Sequence, residues 1–196
     1  MNFKSKKGFV ISNMIEAENG IFLIADPFLK DPHFLRTVLL LCEHNEEGSF
    51  GLVVNRLLPL RLSDLLTDFQ DTDFPVYYGG PVDTNTLHIL HRVPALMTGS
   101  QPLQKNIFWG GDIEIVKELV NQKNLSRNDI RFYLGYSGWS AGQLKQEIKD
   151  ETWITGKGNQ DLVFMQHPVN CWKMALQTLG EPYAQMVSYP IDPQLN

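Results

Sequence analysis

The sequence predicts an α+β domain whose core is β-rich and largely antiparallel. Three observations carry this reading. Short apolar runs rich in β-branched and aromatic residues recur along the chain, punctuated by Gly and Pro. Two of these runs flank a polar five-residue segment, as in an antiparallel hairpin. Helical periodicity is present as well, but strands and helices do not alternate strictly as parallel βαβ units require.

The elements follow in order. Residues 20–25 (GIFLIA) read as a strand stopped by Asp26-Pro27. Residues 37–44 (TVLLLCEH) and 50–56 (FGLVVNR) read as hairpin strands around the loop 45–49 (NEEGS), and their near-continuous apolar character implies cover on both faces. Leu62, Leu65, Leu66 and Phe69 share one face of a first helix over 62–69. The runs FPVYYGGP, TLHIL and NIFWGG are short strands. Asp112 caps a second helix that buries Ile113, Val116 and Val120. The run IRFYL leads into a glycine-rich stretch and a third helix. The fourth helix starts at Pro168 and stops at Gly180, with an apolar stripe of Val169, Trp172, Ala175, Leu176 and Leu179.

The glycine-rich stretch is 135–144, GYSGWSAGQL. A nucleophile elbow needs Gly-x-Ser-x-Gly with small residues on both sides of the strained serine; here Trp139 stands where the closing glycine belongs, which argues against Ser137 as a nucleophile. A phosphate loop needs Gly-x-Gly-x-x-Gly or a Walker lysine, and residues 132–144 contain no Lys or Arg. A helix N-terminus alone supplies about 0.3–1 kcal/mol toward an anion, against about 8 kcal/mol for micromolar affinity, so Arg36 or Arg56 would have to fold over the turn. A helix start explains more: Ser140 and Gln143 make a capping box, and Trp139 and Leu144 occupy the positions of a hydrophobic staple. Gly142 then stands inside a helix, at a cost of about 1 kcal/mol relative to Ala, which implies that a backbone or ligand approaches it closely.

The 196 residues fit one domain, 1–196, with 1–7 (Lys4, Lys6, Lys7) a flexible basic tail. At 43% hydrophobic and 20% charged the chain is neither disordered nor fibrous. The net charge of -5 and the lack of a helix-turn-helix with a basic recognition helix argue against direct nucleic-acid binding. Cys42 and Cys171 lie in apolar segments and read as reduced structural thiols. No run approaches 18 apolar residues and the first segment turns polar too soon for a signal peptide, so a cytoplasmic protein without membrane spans is expected. His88 and His91, three apart, point to opposite faces of a strand and hold a shared metal only if that segment is helical. Cys42-Glu43-His44 is no more complete, so neither metal nor cofactor is expected. His33 and His167 lie close to prolines and suit hydrogen bonds within turns. Strand ends beside loops carry function more often than strand centres, which singles out Glu43 and His44 before the hairpin loop and Asn55 and Arg56 after it.

The motif GIFLIADPFLKDPHFLRTVLLLCEHNEEGSFGLVVNR, the segment YYGGPV, and FYLGYSGWSAGQLKQEI with Trp153 together resemble the signatures of the YqgE/AlgH family (UPF0301, DUF179), in the same order and over most of the chain. The terminal IDPQLN is also similar to that family's tail. The resemblance implies a bifurcated β-sheet wrapped into a pseudo-barrel with helices packed outside. It brings no enzymatic activity, cofactor or catalytic residue; members are sometimes described as transcriptional regulators. Gly79, Gly80, Pro81, Gly135, Gly138 and Trp139 match its glycine-rich motifs, as fold-specifying turns or as the rim of one groove. The candidate groove comprises Arg36, Glu43, His44, Asn55, Arg56, Gly79, Gly80, Gly135, Tyr136, Gly138, Trp139 and Gly142. The expected function is a non-enzymatic binding or regulatory module acting through a protein or small molecule; the alternative is a hydrolase or transferase acting on an anionic substrate at the glycine-rich strand-to-helix turn.

Overall fold

A computed structural model describes residues 15–69, 73–181 and 183–189, together with the backbone of two strands near the N-terminus. Apart from Phe3–Lys4, the basic segment 1–7 lies outside the described residues, as does the IDPQLN tail. In chain order the strands and helices are β1 (Phe3–Lys4), β2 (Val10–Ile11), β3 (Ile21–Ala25), β4 (Val38–His44), β5 (Gly48–Val53), β6 (Leu57–Arg61), α1 (Leu62–Leu65), β7 (Pro75–Tyr78), β8 (Val82–His91), β9 (Ser100–Gln104), β10 (Ile107–Gly110), α2 (Ile113–Asn121), β11 (Ile130–Ser140), α3 (Gln143–Lys149), β12 (Trp153–Lys157), α4 (Gln160–Val163), α5 (Cys171–Thr178) and α6 (Tyr183–Met186).

The architecture is α+β: a mostly antiparallel sheet curled into a half-barrel, with several short helices. One strand explains its bifurcation. The first part of β11 lies between β7, its one parallel neighbour, and antiparallel β8. Its last residues, from Ser137 to Ser140, instead pair antiparallel with β5. One lobe therefore runs β12-β3-β4-β5-β11 and the other continues from β11 through β8 and β10 to β9, with β7 and β6 alongside.

Burial follows from this layout. Every residue of β3, and Val38 to Cys42 of β4, is buried, as expected for strands covered on both faces. Phe22, Ile24, Leu40 and Leu52 pack in a cluster with Trp172, Ala175 and Leu176 of α5 that also takes in Tyr77 and Tyr133 of the second lobe. Ile21, Leu23, Leu39 and Leu41 pack on the opposite face with Trp139, Leu144 and Trp153. Val76, Ile89 and Phe132 pack with Val116 and Val120 of α2. Trp172 ties α5 to the sheet, because its indole N–H donates to the Ala25 carbonyl at 2.8 Å.

Four local expectations change. The hairpin loop is three residues, 45–47, because Asn45 accepts from the backbone N–H of both Glu47 and Gly48 and so closes the turn early. The first helix is a single turn, Leu62–Leu65, with Leu65 partly exposed. Asp112 caps α2 as expected, accepting from Glu114 N–H at 2.9 Å, yet Ile113 is 37% exposed. Residues 168–170 form a 3-10 turn ahead of α5, which leaves Val169 outside the stripe at 81% exposure, while Gly180, at φ +72, ends the segment.

Candidate functional site

The largest correction concerns GYSGWS. It is not a turn but the second half of β11, at the place where the strand passes from one lobe to the other. Gly135 makes the passage possible. Its φ is +69, and a Cβ there would lie 2.5 Å from the Gly80 carbonyl oxygen. A Cβ on Gly79 would lie 2.1 Å from the Gly135 oxygen, and one on Gly80 2.1 Å from the Tyr136 carbonyl carbon. The two glycine motifs are thus pressed backbone against backbone. Ser137 is buried, and its hydroxyl donates to the Gly79 carbonyl at 3.3 Å.

The helix start is also rearranged. Gly142, not Ser140, is the N-cap, at φ +75, and a Cβ on it would meet nothing within 4 Å. The close approach expected at Gly142 is therefore absent; glycine serves there because the backbone is left-handed. Gln143 reaches back to accept the Ser140 N–H at 3.0 Å, one half of the expected box, but the Ser140 hydroxyl donates to Gln143 as well instead of capping the helix. Trp139 and Leu144 are both buried in one cluster, as a staple requires. Their neighbour Glu147 had no sequence signal: one carboxylate oxygen accepts the indole N–H of Trp139 at 2.9 Å and of Trp153 at 2.8 Å.

Arg36, Asn55 and Arg56 are brought together, at the loop 26–37. Asn55 accepts from Val38 N–H and donates to the Arg36 carbonyl. Arg56 donates to the carbonyls of Pro32 and His33, both at 3.0 Å, with its guanidinium 5.6 Å from the Tyr78 ring centroid. Arg36 donates to the Tyr189 carbonyl and lies 4.7 Å over the Trp172 ring. These groups fasten a loop. His33 meets the Tyr78 hydroxyl at 2.7 Å, a contact made across the fold and not within its own turn. His167 contributes its carbonyl to the following turn.

Glu43, Tyr136, Gly138 and Trp139 converge elsewhere, on an open groove of about 480 Å³ between the β4–β5 hairpin and β11. Its rim carries Glu43 and Glu47, and its floor is formed by Phe50 and Tyr136 with Val82 beside them. Phe50 and Tyr136 sit 4.8 Å apart by ring centroid, and Phe50 also packs against Trp109, tilted at 4.9 Å, and His88, edge-on at 5.1 Å. Gly138 keeps the floor open: a Cβ there would come within 3.2 Å of the Tyr136 ring. His44 stands beside the groove, its Nδ1 2.7 Å from the Ser49 hydroxyl. Phe50, Trp109 and Val82 were not found from sequence, because single apolar residues in strands read as core; the acids of EHNEEGS were visible as a polar loop.

His88 and His91 point to different surroundings, as strand geometry demands. Burial pushes the His88 imidazole below its ordinary pKa, with Asp83 opposing. His91 is fully buried, stacks on Phe108, and accepts from Val93 N–H through Nδ1, which places its proton on a buried Nε2 that has no partner among the described residues. Burial lowers its pKa to about 4. Cys42 and Cys171 are free, buried thiols, both raised by burial, Cys171 to about 12. Among the described residues no group of three or more His, Cys, Asp or Glu is placed to hold a metal, and no helix is long and apolar enough to cross a membrane.

The fold and groove define a bifurcated, half-barrel α+β protein built on one strand shared between two lobes. The sequence profile of the AlgH-like DUF179 family matches residues 22–184, and the chain belongs to that family. It is 40% identical to a UPF0301 protein of Bacteroides fragilis over the whole of both chains. It is 37% identical to a UPF0301 protein of Chlorobaculum tepidum, covering 90% of this chain and 95% of the relative. Its structure is similar to the solution structure of the AlgH protein from Pseudomonas aeruginosa, at 29% identity and a TM-score of 0.69, over 87% of this chain and 93% of that one. A crystal structure of a Corynebacterium diphtheriae protein shares the fold at a TM-score of 0.77 and 19% identity, over 90% and 95% of the two chains.

Proposed function

We propose that this chain is a non-enzymatic, cytoplasmic binding or regulatory module whose recognition surface is the groove between the β4–β5 hairpin and β11. The observation that carries the reading is the groove itself, where the family's glycine-rich strand, an aromatic floor and an acidic hairpin meet. The side chains that a reaction on an anionic substrate would need are occupied elsewhere. Arg36 and Arg56 hold backbone carbonyls, and the Ser137 hydroxyl is committed to Gly79. An acidic rim also disfavours DNA, so a regulatory role runs through a protein or small molecule.

The test is affinity capture from a bacterial lysate with wild type and Tyr136→Ala, the variant first shown to unfold at a similar temperature. Specific capture by wild type and its loss in the variant are expected. Equal capture by both proteins, or substrate turnover that Tyr136→Ala leaves untouched, would overturn the reading.

A further inference from the structure

We infer that the groove recognises an organic cation, an ammonium or guanidinium group carried on an aliphatic chain. This deepens the binding reading above and rests on it.

Charge is the first argument. Among the described residues, the side chains lining the groove that are charged at neutral pH are the carboxylates Glu43 and Glu47, with no Lys, Arg or His. The second argument is how Glu43 comes to be there. In β4, alternation would place residue 43 on the face of Leu39 and Leu41, which is core. The register slips between Leu41 and Glu43, so that Glu43 pairs with Phe50. This bulge puts Glu43 opposite Phe50, on the side of the hairpin that faces the groove, the use to which bulges beside binding sites are put. Asn45 then donates to the Glu43 carboxylate at 2.9 Å while accepting from the Glu47 and Gly48 N–H groups. The acidic hairpin is therefore held in place before any ligand arrives.

The third argument is the floor. Tyr136 and Phe50 line the groove and pack against His88 and Trp109, which do not, so the two rings are held in position. Aromatic rings attract cations through their quadrupoles, and a carboxylate beside them adds a separate charge–charge attraction for the same group. A cavity of about 480 Å³ is in the range of organic ligands and far larger than a bare ion needs. An anionic ligand would face two carboxylates, and a neutral one would gain no charge–charge attraction from them. The cation has two sources, a free polyamine or an Arg or Lys side chain of a partner protein.

The test is a two-dimensional amide NMR titration of the whole chain with three probes: spermidine, N-acetyl-arginine amide and N-acetyl-glutamate amide. Saturable shifts of Gly48, Gly138 and the Tyr136 amide are expected with one or both cationic probes and not with the glutamate probe. The Glu43→Gln/Glu47→Gln variant is expected to weaken binding about tenfold or more, one decade for each 1.4 kcal/mol of lost attraction, and added salt to weaken it further. Tighter binding of spermidine indicates a free amine, and tighter binding of the arginine probe a partner's side chain; either upholds the shared chemistry. The inference is overturned if neither cation saturates by roughly 10 mM, the edge of measurable affinity, or if the double variant binds them unchanged. Groove shifts with the glutamate probe alone would sink the cation and leave the binding reading standing. No shifts with any probe, together with equal lysate capture by Tyr136→Ala, would sink both.

Discussion

Three glycines in one stretch should respond very differently to a single methyl group. Gly135 and Gly142 share the left-handed backbone, at φ +69 and +75, so Ala at either position carries about 1–2 kcal/mol of conformational strain. At Gly142 nothing lies within 4 Å of the added carbon, and strain is the whole cost. At Gly135 the carbon would lie 2.5 Å from the Gly80 oxygen and 2.9 Å from the Val82 oxygen. Both are backbone atoms that move only if the crossing of the lobes opens, adding about 1–3 kcal/mol. Gly142→Ala should therefore cost about 1–2 kcal/mol and Gly135→Ala about 2–5 kcal/mol. In a chain of this size each kcal/mol lowers Tm by about 2–4 °C. Gly142→Asn should recover part of the loss, since Asn visits the left-handed region. Gly138→Ala, which meets only the outer edge of the Tyr136 ring, should fall below Gly135→Ala. Urea and thermal unfolding followed by circular dichroism give all four numbers. Equal losses at Gly135 and Gly142 would refute the claim that the glycine signature exists to let two backbones touch.

Glu147→Ala should cost roughly 2–4 kcal/mol, because it strands two buried indole N–H groups, whereas Glu147→Gln keeps an acceptor and should cost about 1 kcal/mol; urea unfolding read by tryptophan fluorescence separates them, and equal losses would contradict the shared-acceptor role. The His91 pKa falls from 6.5 unfolded to about 4 folded, so the unfolded chain binds the extra proton first and stability drops as pH falls through the window between those values. The drop attributable to His91 is about 3 kcal/mol at the acid end; His91→Gln should flatten that part of the stability–pH curve, and an unchanged slope would count against it. Trp172→Phe loses the bond to the Ala25 carbonyl and should cost about 1–3 kcal/mol, visible as a lower urea midpoint; an unchanged midpoint would show that α5 is not anchored there.

What the sequence made legible followed from local chemistry. The apolar runs of β3 and of Val38 to Cys42 in β4 announced strands buried on two faces, and Asp112 announced the start of α2. What it concealed was non-local. The strand IRFYL continues into GYSGWS, with a register shift at Gly135, where Gly79 and Gly80 from another part of the chain press against its backbone; glycine spacing alone looks the same in a turn. Val169 fits a helical stripe by period but falls in a 3-10 turn, where that period does not apply. At the site, Glu43, Tyr136 and Gly138 could be picked out as residues at strand ends or in a motif. Phe50 and Trp109 could not, since only the pairing of β5 with β11 and the stacking of rings across lobes bring them to the same place. Arg36 and Arg56 looked like ligand-binding cations; their carbonyl partners in the loop and near residue 189 are set by tertiary structure.

The central claim is that β11, in crossing between lobes, carries an aromatic floor to an acidic hairpin and so builds a cation site. A crystal of the protein soaked with agmatine, which bears a guanidinium at one end and an ammonium at the other, tests it most directly. The account predicts one cationic end over the Tyr136 and Phe50 rings and within hydrogen-bond distance of the Glu43 carboxylate. An empty groove, with agmatine bound to other surface acids instead, would contradict it.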